Sequence, residues 1–408
     1  MNGWRPIVAV ASVFLAVPAA VPSTPEAHTQ PPQPVPCPVA PQPVPPPPRP
    51  SPPPRDGYRP PIGGDALATP GLAVPPGSGA LPTNLSAASW LVADLDTGAV
   101  LGACGAHEGS PPASVQKLLL AETVLPKLDP AQVVEVTQDD LKFERGSSAV
   151  GLLVGGHYTV ETLWLGLLLD SGNDAANVLA RLGGGAAGVP GTIEAMNAEA
   201  HRLGAYDTHA VTPSGLDGPG QFTSAYDLAL IARADFARED FRRYTATQRA
   251  QIPAQPPKDP RGFQIQNENL LLTKYPGAIG GKTGYTTVAR HTYVGAAERN
   301  GRRLVVTLLG AEARPARGWQ QGAALLDWGF AQPAGASVGH LVAPGEADRI
   351  VRPPAAASDE PRGTATILAA RRVGGWRLNM LAAVAVVALC VPVVALATVR
   401  RGRRRRRA

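Results

Sequence analysis

The sequence predicts an α/β fold of the α+β kind: an antiparallel sheet flanked by helices, plus a helical lobe, within residues 81–331. Three observations predict it. Near the start of that stretch, "SWLVADLDTGAVLGACG" alternates and turns at Asp96-Thr97-Gly98, as a β-hairpin does. Near its end, "HTYVGAAERNGRRLVVTLLGA" sets Asn300-Gly301 between two apolar strands, a second hairpin. Between them, apolar residues recur at helical spacing. Strands from both ends of a domain, with helices in between, make a layered antiparallel sheet and not a doubly wound parallel one.

The elements follow in chain order. Residues 1–27 carry one arginine, an apolar run from Ile7 to Val17 and then small residues, which reads as a secretory signal peptide cleaved after Ala20 or after Ala27. Residues 28–80, with "PVPPPPRPSPPPR", have no hydrophobic periodicity and predict an extended, disordered spacer. After the first hairpin, "PPASVQKLLLAETVL" (111–125) opens a helix. "VTQDDLKFERGSSAVGLLVGGHYT" is loop-rich, punctuated by glycine pairs. "TVETLWLGLLLDSGNDAANVLARLGGG" is helical on both sides of a break at Ser171-Gly172-Asn173. The glycines from Gly183 to Gly188 predict a flexible loop; a phosphate cradle would need a preceding strand and a lysine. Amphipathic helices cover 192–203 and 223–234, and "THAVTPSGLDGPGQ" between them is a polar loop of the sort that borders a site. "ARGWQQGAALLDWGF" closes the domain as a last helix. Residues 332–377 form a linker. "MLAAVAVVALCVPVVALATV" then carries no charge over roughly the length that spans a bilayer, so 378–399 is expected to be a transmembrane helix. The tail, 400–408, is denser in arginine than the outer flank at Arg371, Arg372 and Arg377, which puts the tail in the cytoplasm and the domain outside the membrane.

That tail also explains the charge. The chain carries a formal +6, and the tail alone holds seven arginines, so the remainder carries −1. The basic balance is therefore a topology signal, not a sign of nucleic-acid binding. The three cysteines, Cys37, Cys104 and Cys390, fall in the spacer, the domain and the membrane helix, so no disulfide framework follows and no C-x-x-C pair exists. Histidines occur singly, which argues against a zinc site, and nothing implies a cofactor.

Three short motifs carry chemistry. Lys117 lies three residues after Ser114, so both project from one helix face. Alone, S-x-x-K is too short to mark a nucleophile beside its base and reads first as a helix start with a lysine reaching outward. "LLLDSGNDAAN" places Ser171 and Asn173 at a break between helices, and "IGGKTGYTT" places Lys282, Thr283 and Gly284 before the second hairpin. Each has an ordinary explanation as a turn or cap. The ordered set S-x-x-K, S-x-N, K-T-G does not; it is the signature of serine penicillin-recognising enzymes.

The domain resembles the serine-type D-alanyl-D-alanine carboxypeptidases, the low-molecular-mass penicillin-binding proteins with the serine β-lactamase/D,D-peptidase fold. The likeness runs from "ADLDTG" to the second hairpin and includes "MNAEAHRLGAYDTHAVTPSGLDGPGQFTSAYDLALIARA" and "NENLLLTKYPGAIGGKTGYT". Val115 departs from the threonine or leucine the family often has after the serine, and there is no room for the β-rich second domain of some members. The residue types suit the chemistry. A serine hydroxyl needs a base, and a lysine serves only when neutral, with its pKa lowered by burial and a nearby cation such as Lys282. Arginine could not do this. The resemblance implies that Ser171 relays a proton to the leaving amine and that Asn173 positions the substrate backbone. It also implies that Lys282 and Thr283 bind the terminal carboxylate, with the N–H groups of Ser114 and Tyr285 as the oxyanion hole. Arg290 is open between carboxylate binding and a surface ion pair.

The expected function is removal of the C-terminal D-alanine from peptidoglycan pentapeptide stems through an acyl-serine, with β-lactams as inhibitors and no nucleic-acid partner. A serine β-lactamase normally needs a glutamate-activated water, and no E-x-x-L-N segment lies between Ser171 and Lys282. A slow penicillin-binding scaffold using its proline-rich arm is the other alternative, against which the intact motifs argue.

Overall fold

The structure, a computed structural model, describes residues 1, 3, 33–42, 45, 48, 50–52 and 62–351. The chain begins with β1 (Leu72–Ala73), β2 (Ser89–Asp94), β3 (Ala99–Cys104), α1 (Lys117–Val124), β4 (Val133–Glu135) and β5 (His157–Thr159). A helical stretch follows: α2 (Val160–Leu169), α3 (Asn173–Gly183), α4 (Gly188–Leu203), α5 (Ala225–Ala237) and α6 (Glu239–Ala246). Then come β6 (Arg249–Ile252), β7 (Phe263–Gln266), α7 (Leu271–Lys274), β8 (Ala278–Thr286), β9 (Arg290–Arg299) and β10 (Arg302–Ala311). The last elements are α8 (Gly318–Phe330), β11 (Gly339–His340) and α9 (Glu346–Val351).

Seven strands make one antiparallel sheet in the order β1-β3-β2-β10-β9-β8, with β11 paired to β3 beside β1. Both expected hairpins are present. Asp94 Oδ1 accepts the N–H groups of Asp96 (3.1 Å) and Thr97 (2.9 Å), and Gly98 turns at φ 77°. Asn300 and Gly301 both have positive φ, 53° and 74°, which a two-residue hairpin turn requires. The expected mixed α/β layering is also found. Every residue of β2 is buried, because helices cover both faces. Leu91 and Ala93 face the core of the helical lobe, while Trp90 and Val92 face a second core with Leu325, Leu326 and Trp328 of α8.

At the centre of the lobe stands α1, packed against α3, α4 and α5. Its residues are buried on all sides apart from Glu122, as expected of a helix apolar all round. The glycines at 183–188 are not a flexible loop. Gly183 ends α3, a 3-10 turn spans Gly185–Ala187, and α4 starts at Gly188. A Cβ on Gly184 would run into the Gly188 carbonyl oxygen, so glycine serves close backbone approach there.

The folded unit exceeds residues 81–331 at both ends. Ile62, Leu67 and Ala73 join the core, as do Leu341, Val342 and Ala347 beyond the last expected helix. Part of the expected spacer is also docked. Val35 O accepts the Leu72 N–H at 2.7 Å, and Ala40 N–H donates to Leu85 O at 2.6 Å. Proline lacks an N–H, but its neighbours keep carbonyls that an edge strand can use. Most of all, Cys37 and Cys104 form a disulfide, contrary to the expectation that no framework follows from the cysteines. Counting cysteines could not show that two of them, 67 residues apart in sequence, lie with Cα atoms 5.6 Å apart. Among the described residues no helix is long and apolar enough to cross a membrane. The segment 378–399 and, apart from Met1 and Gly3, the signal segment lie outside the described residues.

A crosslink closing a loop of that size restricts the unfolded chain by about 4 kcal/mol. Cys37→Ser should therefore lower Tm in scanning calorimetry by roughly 5 °C or more. An unchanged Tm would mean that the arm is not held through this bond.

Candidate active site

The front of α1 is built by a sharp turn. Ala113 takes φ 48° and a 3-10 turn spans Ala113–Gln116, so Lys117 is the first α-helical residue and Ser114 lies one turn before it. Lys117 does not reach outward; it is fully buried. Its Nζ is 2.8 Å from Ser114 Oγ, 2.8 Å from Asn173 Oδ1 and 2.9 Å from the Ser214 carbonyl oxygen. Burial, and then the positive charge of Lys282, hold its pKa well below the ordinary lysine value. The geometry suits the neutral amine. Its two N–H bonds serve Asn173 Oδ1 and Ser214 O, which can only accept, and the lone pair is left for the Ser114 hydroxyl proton.

Asn173 is held at the helix break foreseen in the sequence. Ser171 sits at φ 59° and Gly172 follows, with α3 starting at Asn173. Asn173 Nδ2 donates to Ser147 Oγ at 3.0 Å. The next residue, Asp174, accepts the N–H groups of Val150, Gly151 and Leu152 at 2.9–3.0 Å, which pins the loop after Ser147 and Ser148 to the start of α3.

The K-T-G segment lies on β8, which pairs only with β9 among the described residues and so offers a free edge. Lys282 is buried, donates to Thr283 O at 2.8 Å, and has its pKa pushed down to about 8 by burial, against the opposing pull of Glu268 and Asp170. Burial, with the charge of Glu268 beside it, raises Asp170 to about 6. Thr283 Oγ1 donates to Glu268 Oε2 at 3.3 Å. Gly284 is required by closeness: a Cβ there would lie 2.8 Å from the Ser114 backbone nitrogen. Thr292 Oγ1 donates to Pro112 O at 2.8 Å, tying β9 to the turn that presents the serine. Tyr285 is exposed and its ring meets that of His291 at 4.7 Å. Arg290 resolves toward an ion pair, with Nη2 2.7 Å from Glu312 Oε2, and it does not line the cleft.

A cleft of about 400 Å³ brings the motifs together. Ser114, Ser171, Asn173, Thr283, Gly284 and Tyr285 line it, while Lys117 and Lys282 lie buried beneath. Its other walls include Ser147, Ser148, Gly215, Leu216, Glu268 and His291, which sequence reasoning did not single out. Only the polar "THAVTPSGLDGPGQ" loop was flagged, and it supplies Ser214 and Gly215. A Cβ on Gly215 would overlap the Ala113 carbonyl oxygen, so this loop packs directly on the serine's turn. The arrangement provides a hydroxyl beside a buried amine, backbone N–H groups near it, and a second buried lysine on the strand with the open edge. That is what acyl transfer through a serine ester needs.

Residues 77–313 match the family described as D-alanyl-D-alanine carboxypeptidase. A D-alanyl-D-alanine carboxypeptidase of Mycobacterium tuberculosis is 47% identical over 273 residues, covering 65% of this chain and 90% of that one. Another, from Salmonella typhimurium, is 34% identical over 61% of this chain and 64% of its own length. Among solved structures, a Mycobacterium tuberculosis D-alanyl-D-alanine carboxypeptidase aligns with a TM-score of 0.61 at 46% identity, over 66% of this chain and 99% of that one. A Streptomyces DD-transpeptidase aligns at 0.59 with 30% identity, over 62% and 100%.

The lowered pKa values of the two lysines predict opposite pH limbs. Only neutral Lys117 accepts a proton, so acylation of Ser114 should rise with pH through that lysine's lowered pKa. A substrate held through its anion by Lys282 should also lose rate above about 8, where that cation is lost. kcat/KM should therefore be bell-shaped for a peptide acid and lack the falling limb for its C-terminal amide. The same falling limb in both would remove Lys282 from anion binding.

Proposed function

Because the chain belongs to the D-alanyl-D-alanine carboxypeptidase family, we propose that Ser114 attacks the peptide bond between the last two D-alanines of a peptidoglycan stem. Water then releases the shortened stem from the serine ester. The observation that carries this reading is the fully buried Lys117 amine, 2.8 Å from Ser114 Oγ with two acceptors already occupying its N–H bonds.

In the first half-reaction Lys117 Nζ takes the hydroxyl proton as Oγ bonds to the carbonyl carbon. The oxyanion accepts hydrogen bonds from the N–H groups of Ser114 and Tyr285, and the missing side chain of Gly284 lets β8, which carries Tyr285, come close to Ser114. The C–N bond breaks, and the departing D-alanine amine takes a proton through Ser171 from Lys117. In the second half-reaction Lys117 deprotonates a water that attacks the ester, and Oγ recovers its proton. Asn173 orients the substrate backbone. Lys282 and the Thr283 hydroxyl receive the terminal carboxylate, which confines cleavage to the chain end. The substrate's backbone lies along the free edge of β8 as an added strand.

A β-lactam resembles the same bond, so it should acylate Ser114, and digestion with mass measurement should find the adduct on that residue. Lys117→Arg keeps the charge but cannot accept a proton; acylation should fall by about 100-fold or more. An adduct elsewhere, or near-normal acylation of Lys117→Arg, would overturn these roles. Turnover of a D-Ala-D-Ala peptide separates an enzyme from a slow scaffold.

The same proposal places the domain outside the cytoplasmic membrane, anchored by 378–399 with the arginine tail inside. The Cys37–Cys104 disulfide supports it, since such bonds persist in oxidising compartments. Protease added to cell-wall-stripped cells should release the domain from the membrane. Protection of the domain would reverse the orientation.

A further inference from the structure

The two ends of the folded unit meet at one histidine. His107, just beyond β3, has Nε2 3.1 Å from Ile62 O, where the chain joins the fold after the arm. Its Nδ1 lies 2.8 Å from Asp207 Oδ2, in the loop after α4. Gly63 O in turn accepts the His340 N–H of β11 at 2.8 Å. Behind the His107 ring stands Tyr226 of α5, with centroids 4.6 Å apart. The tyrosine hydroxyl donates to His340 O at 2.9 Å and accepts the Val342 N–H at 3.1 Å. A Cβ on Gly63 would come 2.6 Å from the Tyr226 ring, so the entering and leaving segments rest on one support.

Both partners of the imidazole, a carboxylate and a carbonyl, can only accept. A neutral ring has one N–H and serves one of them, whereas the imidazolium serves both. The surroundings favour that cation. Burial pulls the His107 pKa down, but the bond and charge of Asp207, with the charge of Asp227, outweigh it and raise the pKa above the ordinary imidazole value. Asp227, on α5, is 1% exposed, and its Oδ2 accepts the Asp207 N–H at 2.7 Å and the Thr208 hydroxyl at 2.8 Å. Burial and then the Asp207 charge push its pKa up. Tyr226, the other titratable group against the ring, is also raised by burial and stays neutral through this range.

We propose that His107 is a pH-operated latch. As an imidazolium it clamps the entering segment at Ile62 to the helical lobe; as a neutral ring it gives up one of its two bonds, and β11 loosens with that segment. His107 and Asp227 both hold a proton more readily in the folded chain than in the unfolded one. The cluster therefore stabilises the junction at low pH, and that stabilisation is lost as pH rises past the ordinary imidazole range. None of these residues lines the catalytic cleft, so the latch acts on the connecting segments and leaves the chemistry alone.

The test is hydrogen exchange of the full-length protein between about pH 5.5 and about pH 9, corrected for the intrinsic rate. It is read on residues 338–342, where the His340 N–H donates to Gly63 O. Protection should fall about tenfold with rising pH, with a midpoint above the ordinary imidazole value of 6.5. His107→Gln carries no charge and should show the low protection at every pH. Asp207→Asn removes the anion and should move the midpoint down by about one pH unit, which a merely structural histidine would not do. Both variants should keep a cooperative thermal transition, which reports an intact fold; if His107→Gln does not fold, the wild type and Asp207→Asn decide. Protection that stays flat with pH in the wild type, or a midpoint that Asp207→Asn leaves in place, would overturn the latch.

Discussion

The buried amine of Lys117 is the point on which the rest of the site depends. A lysine removed from water must either shed its proton or find compensating charge, and here the charge that acts on it most is another lysine, ahead of the opposing Glu268 and Asp174. Its three neighbours come from three parts of the chain: Ser114 before α1, Asn173 at the start of α3 and Ser214 in the loop before α5. Each must be placed to within a fraction of an ångström for the amine to be satisfied while neutral. The central position of α1, wrapped by α3, α4 and α5, supplies that rigidity.

The sheet completes the site from the other side. β8 is carried by the β9–β10 hairpin, and its free edge brings Gly284 against the Ser114 backbone. Small contacts hold this register, among them the Thr292 hydroxyl on Pro112 O and the Thr245 hydroxyl, which donates to Gly281 O at 3.0 Å. Lys282 therefore lies buried in a strand, where burial and the acidic Glu268 and Asp170 pull its pKa in opposite directions. An open strand edge is ordinarily a liability. Here it lines the cleft.

The far edge of the sheet is closed by chain from outside the expected domain. β1 and β11 both cover β3, and the arm around Cys37 is bonded to that strand. His107 adds another tie, with Nε2 3.1 Å from Ile62 O and Nδ1 2.8 Å from the Asp207 carboxylate. A segment with no core of its own thus acquires fixed structure by borrowing one. The proline-rich composition describes what the arm cannot do alone, and nothing about what it can rest on.

The sequence by itself determined the layered class, both hairpins, the helices on either side of Ser171-Gly172-Asn173, and the three motifs of the cleft. These follow from local causes: turn residues that need positive φ, apolar periodicity, and residue types suited to one chemistry at fixed spacing. Only the tertiary structure decided that Lys117 is buried instead of solvated, since S-x-x-K reads either way until the surrounding helices are placed. It also decided which loop oxygen holds that amine, that Glu268 enters the cleft, that Arg290 turns to Glu312, and that Cys37 meets Cys104. Each depends on side chains distant in sequence meeting at a few ångströms. Composition and spacing carry no record of such distances, because they are set by how the helical lobe and the sheet pack together.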